Sequence, residues 1–154
     1  MTTATPQTHV SPTTPSGIDP RGPRFGAAVT VIALVIALLA GSSVLGTAVI
    51  AWQTLVFALG AFVGLSAQPY GVLYRKVVRP RLGPPAELED PAPPRFAQLV
   101  GFLFAAVGLI SYLLGAAVVG QVAIGLALAA AFLNAAFNFC LGCEIYLVAR
   151  RLRS

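Results

Sequence analysis

Two long apolar stretches organise this chain. After Arg24 the next charged residue is Arg75, and after Arg95 the next is Glu144. Each interval holds roughly 50 residues, whereas a helix crosses a bilayer core in about 20, so each stretch suits two crossings joined by a turn. Backbone groups must pair internally in hydrocarbon, and the alternation of a barrel strand is absent, so the spans are expected to be helical. The pattern predicts helices over about residues 25–45, 48–67, 96–115 and 121–149. Pro23 suits the first entrance, and the Gly41-Ser42-Ser43 stretch through Gly46 suits the first exit. The fourth helix is expected to run unbroken to Arg150, longer than a span requires, with tilt or an extension beyond the membrane.

The segments between are polar. Residues 1–17 are rich in Thr, Pro and Ser and are expected to form a disordered tail, behind which the first apolar segment is too long for a signal peptide. Residues 70–95 form a central loop with Pro80, Pro84, Pro85, Pro91, Pro93 and Pro94, suited to a stiff linker or to a docking segment for a partner. Residues 151–154 form a basic tail.

Composition agrees. The chain is 57% hydrophobic and 10% charged, with a mean hydropathy of +0.84, against about 25% charged for soluble domains. All ten Lys and Arg fall before the first span, between the second and third, or after the fourth. The two hairpin turns carry none, which predicts a multi-pass protein of the plasma (inner) membrane with both termini cytoplasmic. The net charge of +5 fits this bias and anionic lipid headgroups. No aromatic residues interleave a basic surface, so nucleic-acid binding is not expected.

The chain also repeats itself. Asp19-Pro-Arg-Gly-Pro-Arg-Phe25 recurs as Asp90-Pro-Ala-Pro-Pro-Arg-Phe96, at a spacing of 71 residues. Tyr74 and Tyr146 close the second helix of each half, and basic residues follow both. The expected architecture is therefore all-α: a polytopic membrane four-helix bundle of two helical hairpins in parallel repeat, with a pseudo-twofold axis along the membrane normal. Gly60 and Gly64, and the ridge Ala127, Ala131 and Ala135, suit close helix packing within the chain or, less simply, in a homodimer.

One constellation can carry chemistry. Cys140 and Cys143 are the only cysteines and form a C-x-x-C followed by Glu144. On a continuous helix they would share a face, a spacing used by redox couples and metal sites. Buried cysteines also serve as apolar filler. If the pair lies near the C-terminus of a long fourth helix, the helix dipole, the apolar setting and an ionised Glu144 all oppose a thiolate. Arg75 and Lys76, at the corresponding level of the other half, are candidate counter-charges, and a break at Gly142 would alter the electrostatics. Glu144 is a candidate proton carrier or one half of an ion pair with Arg75, Lys76 or Arg151. Asn134 and Asn138 sit one turn apart, more than about 100° from the cysteine face on a continuous helix, and suit interhelical hydrogen bonds better than substrate contact.

Other chemistries lack their residues. The only His, His9, lies in the N-terminal tail, which leaves a membrane haem without axial ligands. Two cysteines make half of a zinc or iron–sulfur site, and no phosphate loop, dinucleotide fingerprint or Ser/His/Asp set is present. No cofactor or metal is therefore expected.

Asp-Pro-Arg-Gly-Pro-Arg-Phe at 19–25, Pro-Tyr-Gly at 69–71, Arg-Pro-Arg-Leu-Gly-Pro-Pro at 79–85, Glu-Asp-Pro-x-Pro-Pro-Arg-Phe at 89–96 and Ala-Phe-x-Phe-Cys-Leu-Gly-Cys-Glu at 136–144 together resemble domain-of-unknown-function family 4395 over residues 18–150. These are small bacterial membrane proteins common in actinobacteria. The resemblance implies a link to thioredoxin-like or sulfurtransferase partners and to thiol or sulfur metabolism, with Cys140 and Cys143 as the functional pair. Three classes of function fit: a thiol redox or sulfur-relay protein, a small transporter subunit for a sulfur compound, and a non-catalytic scaffold for a cytosolic partner.

Overall fold

The computed structural model describes residues 17–154. The expected disordered tail, apart from Gly17, and His9 lie outside the described residues. Four helices are long and apolar enough to cross a membrane: α1 Arg21–Ala40, α2 Val44–Val63, α4 Ala92–Leu113 and α5 Ala117–Phe137. Two shorter helical segments follow α2 and α5. The first, α3, covers residues 69–82 as Pro69–Leu73, a wide π turn Tyr74–Val78, and Arg79–Leu82. The second is α6, Leu141–Arg153. The protein is an all-α membrane bundle.

Each hairpin turns where its residues permit. Gly41 takes a positive φ of 57°, and the Ser43 hydroxyl accepts a hydrogen bond from the Gly46 amide, capping α2. The first turn therefore closes at 41–43, and α1 ends at Ala40, earlier than the periodicity predicts. Residues 70–82 and 92–95 of the proline-rich loop are helical. Pro80 follows the π turn, where a missing amide and ring crowding disfavour regular α geometry.

Leu34, Ala37, Ile50, Phe57, Ala105, Ile124 and Ala127 fill the centre of the bundle. Glycines let the helices approach: a Cβ on Gly101 would lie 2.7 Å from the Phe57 ring, and one on Gly108 2.7 Å from Ile124. Of the glycine pair on α2, Gly60 packs against Gln98, while Gly64 ends the helix with φ 134°. Buried side-chain polar groups are paired among the described residues, except the Tyr112 hydroxyl. Gln53 donates to the Thr30 hydroxyl at 3.2 Å and accepts from the Tyr70 hydroxyl at 2.9 Å, and Trp52 Nε1 donates to that same hydroxyl. The outward faces stay apolar, with Ile32, Leu39, Phe62, Leu103, Val118 and Phe132 all exposed, as a lipid-facing surface requires.

The two halves make matching contacts at one end of the bundle. Phe25 packs at a tilt against Tyr74 with ring centres 5.8 Å apart, and Phe96 against Tyr146 at 5.7 Å. Arg24 Nε donates to the Ala135 carbonyl at the end of α5, while Arg95 donates to the Ala61 and Phe62 carbonyls at the end of α2. Ile18 and Glu89, each just before a repeated Asp-Pro, pair as an antiparallel bridge. The loop is thus pinned to the segment that leads into α1.

The largest departure from expectation is at the fourth span, which does not continue to Arg150. It ends at Phe137, and Asn138 adopts the left-handed conformation with φ 55°. The Asn138 amide donates to the Asn134 carbonyl and the Phe139 amide to the Leu133 carbonyl, a Schellman-like closure. Asn tolerates this conformation; a β-branched residue does not. Asn138→Val is therefore expected to cost about 1–2 kcal/mol, and Asn138→Gly to leave stability near the native value. Thermal unfolding in detergent checks both.

Candidate functional site

The break at 138–140 changes the setting of the cysteines. Cys140 is the N-cap of α6, with an extended backbone (φ −87°, ψ 98°), and its Sγ accepts a hydrogen bond from the Cys143 amide at 3.3 Å. The pair sits at a helix N-terminus, not near the C-terminus of a long helix. The dipole effect expected to oppose a thiolate is reversed, because the Cys143 amide and the positive end of α6 now lie at Cys140 Sγ. Cys140 and Cys143 form a disulfide, with Cα atoms 5.2 Å apart. Both residues are half-buried.

Gly142 explains how α6 reaches this position. It is buried, and a Cβ there would lie 2.7 Å from both Cα and Cβ of Ala97 at the start of α4. Tyr146, one turn on, packs against Phe96. The inner face of α6 thus rests on the first turns of α4. Leu141, Ile145, Val148 and Leu152 form an exposed apolar stripe on another face, and Arg150, Arg151 and Arg153 fill the last turn. An apolar stripe beside a cationic end suits a helix lying in the headgroup region.

The other expected participants separate. Glu144 is exposed in the first turn of α6 and pairs with no cation; the one ion pair among the described residues joins Arg21 to Asp19 at 2.9 Å. Arg75 donates to the Ser66 carbonyl in the other half, and Lys76 is exposed beside it. Neither is held as a counter-charge to the thiols, because α6 packs mainly on α4. Asn138 is the left-handed terminator of α5 and not a member of a helix face. Asn134 lies on the last turn of α5 and lines a cavity that Cys140 also borders.

That cavity, of about 380 Å³, lies among α1, α4 and α5 beneath α6. Its walls are mostly apolar, including Phe57, Phe104 and Ala130, with Thr30, Gln98 and Asn134 as polar groups. A second cavity, of about 300 Å³, lies at the matching end of the first half, bordered by Asp19, Gln68, Tyr74, Arg75 and Arg79. There Asp19 takes hydrogen bonds from the Arg21 amide and guanidinium and from the Tyr74 hydroxyl. Burial raises its pKa, but these bonds outweigh burial and hold the carboxyl below its ordinary value. Burial, then the Asp19 hydrogen bond, pushes Tyr74 up. Composition gives no signal for this cluster beyond the Asp-Pro-Arg motif itself.

These features define a class: four-span helical membrane proteins with a disulfide-bonded cysteine pair at the start of a short amphipathic helix. The chain belongs to the family described as domain of unknown function (DUF4395), whose model matches residues 18–151. No curated protein and no solved structure matches it.

Any larger residue at 142 must lift α6 from α4. Gly142→Val is expected to cost about 1–3 kcal/mol and to raise the alkylation rate of the reduced cysteines. Thermal unfolding and timed alkylation with a maleimide measure the two effects.

Proposed function

We propose that this chain is a membrane dithiol–disulfide exchange protein, with Cys140 and Cys143 as its redox pair. The observation that carries this reading is the placement of the bonded pair at the N-terminus of α6, with Cys140 as the cap. Filler cysteines need neither a partner sulfur nor a helix cap.

The geometry favours one order of events. A partner thiolate attacks Cys143 Sγ, and the S–S bond breaks with its electron pair on Cys140. Cys140 is the better leaving group, because the resulting thiolate keeps the α6 amides and the positive end of the helix. The partner's second thiolate then attacks its own sulfur in the mixed disulfide and releases Cys143, which takes up a proton. Two electrons have passed to the chain, and the partner leaves oxidised. Glu144, exposed and next to Cys143, relays the proton. The bonded pair favours this cycle over carriage of a persulfide.

The partner would be a thioredoxin-like protein or a sulfurtransferase in the cytoplasm. All ten cations lie on elements at the α3 and α6 end of the bundle, and by the positive-inside rule this supports an inner, plasma-membrane face for that end. The repeated motif, the two matched aromatic pairs, the crossed arginine caps and the Ile18–Glu89 bridge support a duplicated hairpin. With Tyr74 set on Tyr146, Gln68, the extended N-cap of α3, corresponds to Cys140, and only the second half carries thiols.

In native membranes, maleimide labelling after acid quench should find the pair partly oxidised and fully labelled after dithiothreitol. Cys143→Ser should trap a partner less than Cys140→Ser does, since Cys143 is the sulfur attacked. A pair whose labelling never changes, together with a normal Cys140→Ser/Cys143→Ser double variant, would remove the redox reading.

A further inference from the structure

We infer that the cavity beneath α6 is the site of a lipid-soluble quinone that reoxidises the Cys140–Cys143 dithiol. The inference rests on the exchange reading above and supplies its electron acceptor. A dithiol that has taken two electrons from a partner must pass them on before it can act again.

Four observations point to this acceptor. The cavity lies among spanning helices and borders Cys140, the sulfur that becomes the capped thiolate, while Cys143 is not on its wall. The two sulfurs thus address different surroundings: Cys140 the bundle interior, Cys143 the side from which a partner attacks. The walls are apolar and the volume of about 380 Å³ falls within the range of about 300–1,000 Å³ that small-molecule sites occupy. Two side-chain amides are uncommitted there. Gln98 accepts from Gln68 through Oε1, which leaves its own N–H groups free, and the Asn134 amide makes no hydrogen bond among the described residues. A flat apolar ring with two carbonyl oxygens matches apolar walls that carry two free donors. A lipid acyl chain matches the walls and leaves both amides unused.

The chemistry balances. Cys140 thiolate adds to a ring carbon of the quinone. Cys143 Sγ, giving up its proton, attacks Cys140 Sγ; the S–S bond forms and the C–S bond breaks with its electron pair on the ring. With the Cys143 proton and one proton from water, the ring leaves as the quinol. The dithiol is oxidised to the disulfide and the quinone is reduced by two electrons.

The test uses the full chain, reduced and reconstituted without oxygen into phosphatidylcholine vesicles. A decyl-substituted benzoquinone is added, and quinone absorbance and free thiols are followed together. One quinol should form for each disulfide. Asn134→Leu, which removes a donor, should slow quinone reduction about tenfold, and Ala130→Phe, which fills the cavity, should slow it at least as much. Oxidation of either variant by water-soluble diamide should keep the native rate, which also reports that the variant is folded. If diamide oxidises the thiols and the quinone does not, or if Asn134→Leu keeps the native quinone rate, the quinone assignment is overturned while the exchange reading stands. Thiols that neither reagent oxidises would remove both.

Discussion

A helix that ends at the edge of hydrocarbon leaves carbonyl groups without intrahelical partners, and lipid offers them none. The α3 and α6 end of this bundle is organised by that constraint. At the end of α2 the carbonyls of Ala61 and Phe62 receive the Arg95 guanidinium, and at the end of α5 the Ala135 carbonyl receives Arg24. Each arginine belongs to the helix that starts beside the one it caps. The start of one hairpin therefore secures the end of the other, and both helices can stop, break and re-form as short segments at the membrane surface.

The break after α5 is what gives the cysteines their chemical setting. Asn138 turns the chain, and Cys140 caps α6, its Sγ accepting the Cys143 amide. Gly142 then lets α6 lie against Ala97, so that one sulfur borders the bundle interior and the other stands beside Glu144. A continuous helix of the same sequence would carry the two thiols one turn apart near its negative end, with no cavity beneath them. The same residues in the two geometries differ in the sign of the dipole that the thiolate feels.

The four spans were legible because charge is absent from two long intervals and concentrated between them, a signal that survives errors of several residues at each helix end. The cation distribution and the repeated Asp-Pro-x-x-Pro-Arg-Phe motif were equally plain. The break was not legible as apolar periodicity, since Phe137, Phe139, Leu141 and Ile145 keep the segment hydrophobic throughout. The available signal was local: Asn138, the residue after glycine most tolerant of the left-handed conformation, followed within a few residues by Gly142. Arg75 and Lys76 looked close to the thiols because they occupy a similar depth. Depth does not fix the position around the bundle, and packing of α6 on α4 put them on different sides. Pairing of Glu144 with Arg75 or Lys76 failed for the same reason. The role of Asn134 as a cavity-lining amide depended on where α6 lies and had no counterpart in spacing alone.

The central claim is that Cys140 caps a helix that begins at the break and so carries a stabilised thiolate when reduced. Ultraviolet thiolate absorbance, followed against pH in the reduced chain and in Cys143→Ser, measures this directly. The account predicts that Cys140 ionises below the ordinary thiol range of about 8.5, and that Cys140→Ser removes the low-pH transition. A Cys140 that ionises at or above the ordinary value would contradict it.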